Sequence, residues 1–215
     1  MTLLSTLMSL FPGLIISLAG LSFLALCVIE SWLFKALSLG LSLFVLYGLP
    51  VAVYQLHSRF YPVCPGISYL KSNSYSAWWG SHQIQAVYVA FPALESALRL
   101  LPGVYSVWLR LWGASVGKQV YWTPGLEIAD RGLLSVGDRV IIGNQVGFYA
   151  HIVKPKKDNL LLYVKPITIA DDVFVGAWSK LGPGVVVETG TYLPVGSYLY
   201  PNQSHGQKEQ SPKKT

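Results

Sequence analysis

Charge is scarce in this sequence and almost missing from its first quarter. Of 215 residues, 12% are charged and 52% are hydrophobic, a balance too apolar for an ordinary soluble domain of this length. Between Leu3 and Leu56 the only formally charged side chains are Glu30 and Lys35. No Lys or Arg precedes the first apolar run, and no small-residue cleavage site leads into a polar start, which argues against a cleaved signal peptide. Cysteine is nearly absent as well. Cys27 and Cys64 give no disulfide framework and no CxxC pair, so both read as idle or buried thiols.

What fills the charge-poor region is two long apolar runs, roughly Leu10 to Ile29 and roughly Ala36 to Leu56, flanking Glu30 and Lys35. Each reaches the ~20 residues a helix needs to cross a bilayer. Residues 1–56 are therefore predicted to form a two-helix transmembrane hairpin, with Pro12 and Pro50 near helix ends, where proline is tolerated. The turn carries one cation, Lys35, whereas Arg59, Lys71 and a basic remainder follow the second helix, for a net charge of +6. The positive-inside bias places both termini, and the rest of the chain, in the cytoplasm beneath the cell's inner membrane.

Residues 57–112 are predicted to be an interfacial segment. "RFYPVCPG" is a turn-rich exit, and two or three short helices follow, broken at Pro92 and at Pro102-Gly103. Trp78, Trp79, Trp108 and Trp112 fit the headgroup zone, and Arg99 and Arg110 fit lipid phosphates, so these amphipathic helices are expected on the membrane surface. The other expectation is a helical cap packed on the following domain, and the two can hold together. His82 has no partner motif and reads as a packing or interface histidine and not a catalytic one.

After Gly113 the texture changes. Apolar residues recur every sixth position at Val116, Trp122 and Ile128. After a two-residue slip around Gly132 they recur at Val136, Ile142 and Phe148, and then at Ile169, Val175, Leu181, Val187 and Leu193. A small residue commonly follows, as at Gly117, Gly137, Gly143, Gly176 and Gly182. A fixed period of six is the sign of a parallel β-helix, in which three hexads make a triangular coil of about eighteen residues. The anchor points into the prism and stacks on its equivalents, and the small residue after it is expected to turn the corner, where a large side chain would clash. Residues 113–200 hold about eleven hexads, somewhat under four coils. The tail, 201–215, has no apolar anchor and is expected to be disordered, with His205 idle.

The stretch "VGDRVIIGNQVGFYAHIV", the loop "KPKKDNLLLYV" and the return "KPITIADDVFVGAWSKLGPGVVVETG" resemble the hexapeptide-repeat, left-handed β-helix acyltransferases, the family of the galactoside, maltose and serine acetyltransferases. The resemblance covers about residues 113–200. It implies a mainly β, left-handed parallel β-helix and places His151 on or beside the family's catalytic histidine. Phe174 stands where the family has tryptophan. Gly176, Ala177 and Gly182 match corner positions along which the pantetheine arm of the donor lies. The family's trimers, with active sites between prisms, imply a homotrimer, in which a neighbouring subunit would cover the apolar "DNLLLYV" half of the loop.

A histidine suits the chemistry. Acyl transfer from a thioester to a hydroxyl needs a base for the hydroxyl proton, and imidazole can return that proton to the thiolate. Backbone N–H groups at a coil corner are candidates for holding the oxyanion. No serine or cysteine nucleophile is required. Glu127 and Asp138 are the candidates for an acid that orients His151, and Lys154, Lys156 and Lys157, with Lys165 in the same loop, for holding phosphates of the donor or of lipid headgroups.

The expected function is a membrane-associated O-acyltransferase that uses a coenzyme A or acyl-carrier-protein thioester as co-substrate, with no tightly bound cofactor and no metal. Spending so much chain on the membrane points to an acceptor hydroxyl on a lipid-like or glycosylated molecule, such as a glycolipid. Two rivals are a zinc enzyme of the carbonic anhydrase type, which needs three prism histidines where only His151 is found in 113–200, and a non-catalytic membrane-anchored scaffold. Nucleic acid is not an expected partner, because the cations form no stripe with stacking aromatics.

Overall fold

The structure, a computed structural model, describes residues 2–206 and divides into two compact units. The first comprises the chain up to Cys64, then Tyr69–Phe91 and Lys157–Leu160; the second comprises Pro65–Ser68, Pro92–Lys156 and the chain from Leu161 onward.

In the first unit, α1 (Leu3–Val28) starts at Thr2, whose hydroxyl accepts the Ser5 N–H at 3.2 Å. A short break at Glu30 separates it from α2 (Trp32–Leu43), which continues through a π turn (Phe44–Gly48) into α3 (Leu49–Phe60). Both helices, Leu3–Val28 and Trp32–Phe60, are long and apolar enough to cross a membrane. Their outer faces expose a succession of leucines, among them Leu7, Leu10, Leu14 and Leu21. Between α1 and α2, Ser22 and Ser42 share a buried hydroxyl hydrogen bond at 2.8 Å, a small-residue polar contact of the kind that joins helices in lipid. α4 (Ala77–Ala90) packs on α1 and α3 through Trp78, Ile84, Val87 and Tyr88, and the Tyr88 hydroxyl donates to Leu46 O in the π turn.

In the second unit, α5 (Pro92–Leu98) and α6 (Val104–Leu111) precede the coils and are separated at Pro102-Gly103 as expected; Gly103 precedes α6 with φ +80. Tyr105, Trp108, Leu109 and Trp112 are buried, and Trp122 Nε1 of the first coil donates to Ser106 Oγ at 2.9 Å. These two helices therefore form a cap on the prism, one of the two expectations for this segment. Three of the four tryptophans read as headgroup anchors, Trp78, Trp108 and Trp112, are instead buried. Of the two arginines, Arg99 lies over the Tyr105 ring, and the exposed Arg110 donates to Val116 O and Gly117 O.

The prism follows. β2 (Ser115–Val116), β3 (Tyr121–Trp122) and β4 (Glu127–Ile128) make the first coil, and β5 (Leu134–Val136), β6 (Ile141–Ile142) and β7 (Gly147–Phe148) the second. β8 (His151–Lys156) and β9 (Asn159–Val164) then form a hairpin outside the prism, with β1 (Gly66–Tyr69) beside β9. β10 (Ile167–Ile169), β11 (Phe174–Val175) and β12 (Lys180–Leu181) make the third coil. β13 (Val186–Val187), β14 (Tyr192–Leu193) and β15 (Tyr198–Leu199) make the fourth, and β16 (Ser204–His205) begins another turn. Strands stack in parallel as three sheets, in the orders β16-β13-β10-β5-β2, β14-β11-β6-β3 and β15-β12-β7-β4. The predicted anchors are in register, for example Trp122, Ile142, Val175 and Leu193 up the second sheet. All of them are buried, each contributing roughly 1.5–3 kcal/mol.

Two expectations need correction. The prism runs past residue 200: His205 follows Leu199 by six and pairs with Val187, so 201–206 belong to it, while 207–215 lie outside the described residues. The small residue after each anchor does not turn the corner. The left-handed turn falls three residues before the anchor, at Gln119, Arg139, Gln145, Asp172 and Trp178 among others. The residue after the anchor is small because coils stack there: a Cβ on Gly143 would come within 2.5 Å of Ala177 N.

Candidate active site

The chain leaves the hexad beat twice, both times at the corner between the third sheet and the first. After β4 a short insertion carries Asp130 into a 3-10 turn, Arg131–Leu133, and after β7 the β8–β9 hairpin departs. Ile128 and Phe148 are register partners, so the two departures stack one above the other. Asp130 and His151 meet there, with Asp130 Oδ2 2.6 Å from His151 Nδ1. The Asp130 side chain is 3% exposed and the His151 side chain 18%. A carboxylate accepts, so Nδ1 donates the proton in this contact, which leaves Nε2 as the ring nitrogen able to act as a base. Lys165 N donates to Ala150 O at 2.9 Å and closes the base of the hairpin.

His151 borders a groove of about 390 Å³ along the third sheet, with Tyr149, Lys180, Gly182, Pro183 and Tyr198 on its walls. Glu127 and Lys180 point outward from β4 and β12, and Tyr149 bridges them over β7. Its hydroxyl donates to Glu127 Oε2 at 2.6 Å and accepts from Lys180 Nζ at 3.1 Å. The Tyr149 ring occupies the space where a Cβ on Gly147 would stand, which explains the glycine on that strand. Burial, together with the Glu127 carboxylate, pushes the Tyr149 phenol up, and the bond to Tyr149 pushes Lys180 up.

Behind the corner, Arg131 forms a buried ion pair with Glu95 of α5: Nε to Oε1 at 2.7 Å and Nη2 to Oε2 at 2.8 Å. Trp108 Nε1 donates to the same Oε1 at 2.8 Å. Burial works to raise the Glu95 carboxyl, but the Arg131 guanidinium outweighs it and holds the group below the usual carboxylate range.

Neither acid predicted to orient His151 does so. Glu127 belongs to Tyr149, and Asp138 lies exposed at another corner, where it accepts the Lys118 N–H at 2.6 Å. The acid is Asp130, and its signal was the two-residue slip beside it. Of the donor candidates, Gly182 shares the groove with His151. Phe174, stacked on Tyr192, lies on the second sheet, and Gly176 and Ala177 at the corner after it. The Gly176 and Gly182 amides already donate to Leu193 O and Leu199 O, so they do not serve as the corner N–H groups for an oxyanion. A Cβ on Gly176 would meet Pro194 C at 2.5 Å, so coil stacking alone accounts for a glycine there. Lys154 and Lys156 are exposed on β8, and Lys157 holds the hairpin turn with φ +51. Lys165 instead donates to Asn202 Oδ1 at 2.8 Å.

In the apolar half of the hairpin, Leu162 and Val164 are buried within the single chain, so they do not await a neighbouring subunit. Ser115 sits in "GASVG", a pattern that also spells a nucleophile elbow, but it lies exposed on a prism strand and not on a strand-to-helix turn. His82 stacks on Trp78 of its own helix.

No family model matches the chain, and no curated protein sequence matches it. Among solved structures the chain is similar to hexapeptide-repeat acetyltransferases. One is a hexapeptide-repeat-containing acetyltransferase of Vibrio cholerae, at 16% identity and TM-score 0.37, covering 56% of this chain and 88% of that one. Another is a galactoside acetyltransferase in complex with coenzyme A, at 13% identity and TM-score 0.34, covering 53% and 74%. A third is the serine acetyltransferase of Neisseria gonorrhoeae, at 14% identity and TM-score 0.33, covering 88% and 87%.

Proposed function

We propose that the protein is a membrane-anchored O-acyltransferase, with His151 as general base and Asp130 as the acid that orients it. The observation that carries this reading is the 2.6 Å contact between a buried carboxylate and a half-buried imidazole at the mouth of a groove. The acceptor hydroxyl attacks the thioester carbonyl while Nε2 takes its proton, and Asp130 stabilises the imidazolium that forms. The tetrahedral intermediate then collapses with loss of the C–S bond, and the imidazolium returns the proton to the thiolate. An ester and a free thiol result, so no covalent enzyme intermediate is needed.

The donor is a thioester of coenzyme A or acyl-carrier protein, and the candidates for its phosphates are Lys180 of the groove wall and the exposed Lys154. The acceptor is a lipid-like or glycosylated hydroxyl compound, consistent with a chain that carries two spanning-length apolar helices. The protein is read as a multi-pass protein of the inner membrane with the prism in the cytoplasm, where thioesters are made. It is further read as a homotrimer. One prism face presents a column of exposed apolar side chains, Tyr121, Ile141, Phe174 and Tyr192, in register on successive strands. A neighbour's column laid against the His151 groove would add Phe174 and Ala177 to the donor site.

The test compares lipid extracts from cells holding the protein, lacking it, or holding His151→Ala. An acylated lipid present only with the parent supports the reading. The same acylated lipid made with His151→Ala removes His151 from the mechanism.

A further inference from the structure

Resting on the acyl-transfer reading, we propose that Glu95 and Arg131 are positioning residues that hold Asp130 on His151 from behind the corner. Arg131 directly follows Asp130, and its guanidinium is gripped by both Glu95 oxygens while Trp108 fixes one of them. The Arg131 and Glu95 side chains are 1% and 4% exposed.

Stability alone does not account for such a pair. Taking two charges out of water costs about as much as their attraction returns, and well-packed apolar side chains would stabilise the site as well or better. What a two-point carboxylate–guanidinium pair adds is direction. Asp130 is extended, with φ −133 and ψ 91, and its carbonyl accepts the Leu133 N–H at 3.1 Å. In extended backbone, successive side chains diverge. Fixing Arg131 in the cap therefore turns Asp130 the other way, toward the imidazole.

The pair thus acts on the reaction only through Asp130, which separates positioning from mere packing. In the full-length protein in detergent, Glu95→Gln should lower kcat at least ~10-fold with KM for both substrates within about twofold, the pattern of an interaction made in the transition state. In an Asp130→Asn background the same change should cost nothing further, because residues acting in one chain of contacts are non-additive. Parent kcat in Glu95→Gln, or an equal loss in both backgrounds, overturns the proposal. Should Glu95→Gln fail to fold, Trp108→Phe removes one of the three hydrogen bonds to the Glu95 carboxylate and keeps both charges. A loss of kcat of about threefold or more that vanishes in Asp130→Asn is then expected, and an unchanged kcat overturns the proposal. If His151→Ala and Asp130→Asn themselves retain full activity, it is the acyl-transfer reading that fails, and the inference goes with it.

Discussion

Ile128 and Phe148 are register partners in the third sheet, and the chain leaves the prism just after each. That shared corner is why two residues 21 positions apart in sequence, Asp130 and His151, form a hydrogen bond. If the bond sets the imidazole tautomer, Asp130→Asn should be more damaging than the loss of one charge in water would suggest. An amide can donate to Nδ1 and leave Nε2 protonated, the wrong form for a base. A loss of kcat of ~10²-fold or more is expected, with folding intact. Steady-state kinetics with a thioester donor checks this, and a loss below about threefold would detach Asp130 from the mechanism.

The prism was legible because an inward position tolerates only apolar side chains, so Val116 to Leu193 announce their burial by spacing alone. His151 was legible as the residue where the spacing stops. Asp130 was in principle legible too, since Ile128 and Phe148 are each the third anchor of their coil, so both breaks fall at one corner. Glu127 and Asp138 are acids of the same coils, but each has another partner, Tyr149 for Glu127 and the Lys118 N–H for Asp138. Tryptophan content does not distinguish headgroup anchors from core, because the ring suits both, and Trp78, Trp108 and Trp112 chose the core. Position 205 kept the period, but a histidine there does not look like an anchor. The Tyr149 link between Glu127 and Lys180 depends on a ring folding back over Gly147, and no spacing in the sequence encodes that.

Coil stacking predicts an order of glycine sensitivities. A Cβ on Gly143 would meet backbone atoms, Ala177 N at 2.5 Å and Val175 O at 2.7 Å, and backbone in a stacked strand cannot step aside. Gly143→Ala should destabilise by roughly 1–3 kcal/mol. Gly190 has open space around its Cβ position but a φ of +70, so Gly190→Ala should cost only about 1 kcal/mol of backbone strain. Denaturant midpoints of the two variants measure this, and the reverse order would contradict the stacking account.

Glu95 makes stability depend on pH in a stated direction. Its carboxyl is held below its ordinary value in the folded chain, so the folded state binds fewer protons than the unfolded one through that range. Its contribution is present in full above the unfolded value, about 4.3, and is lost as pH falls through the folded one. Urea midpoints should therefore fall below about pH 4 more steeply in the parent than in Glu95→Gln. Tryptophan fluorescence reports the transition, since Trp108 is hydrogen-bonded to the titrating group. Equal slopes in the two proteins would mean that Glu95 does not titrate with unfolding.

Assembly can be tested through the site itself. In one chain, His151 lies at the corner between the third and first sheets, whereas Ala177 follows the second sheet, so the groove and the Phe174–Ala177 surface face different ways. In a trimer with the apolar column of one prism on the groove of the next, each site would take its histidine from one chain and Ala177 from another. His151→Ala removes the base, and Ala177→Leu blocks the donor arm without touching the inward anchors Val175 and Leu181. Each variant alone should be inactive. Co-expressed in equal amounts, they should recover about a quarter of parent activity, because a site is whole when an intact histidine meets an intact Ala177 surface, a one-in-four ordered pairing in a cyclic assembly. Sites built within single chains would give no recovery, and a monomeric protein that is active in detergent would give the same answer by size.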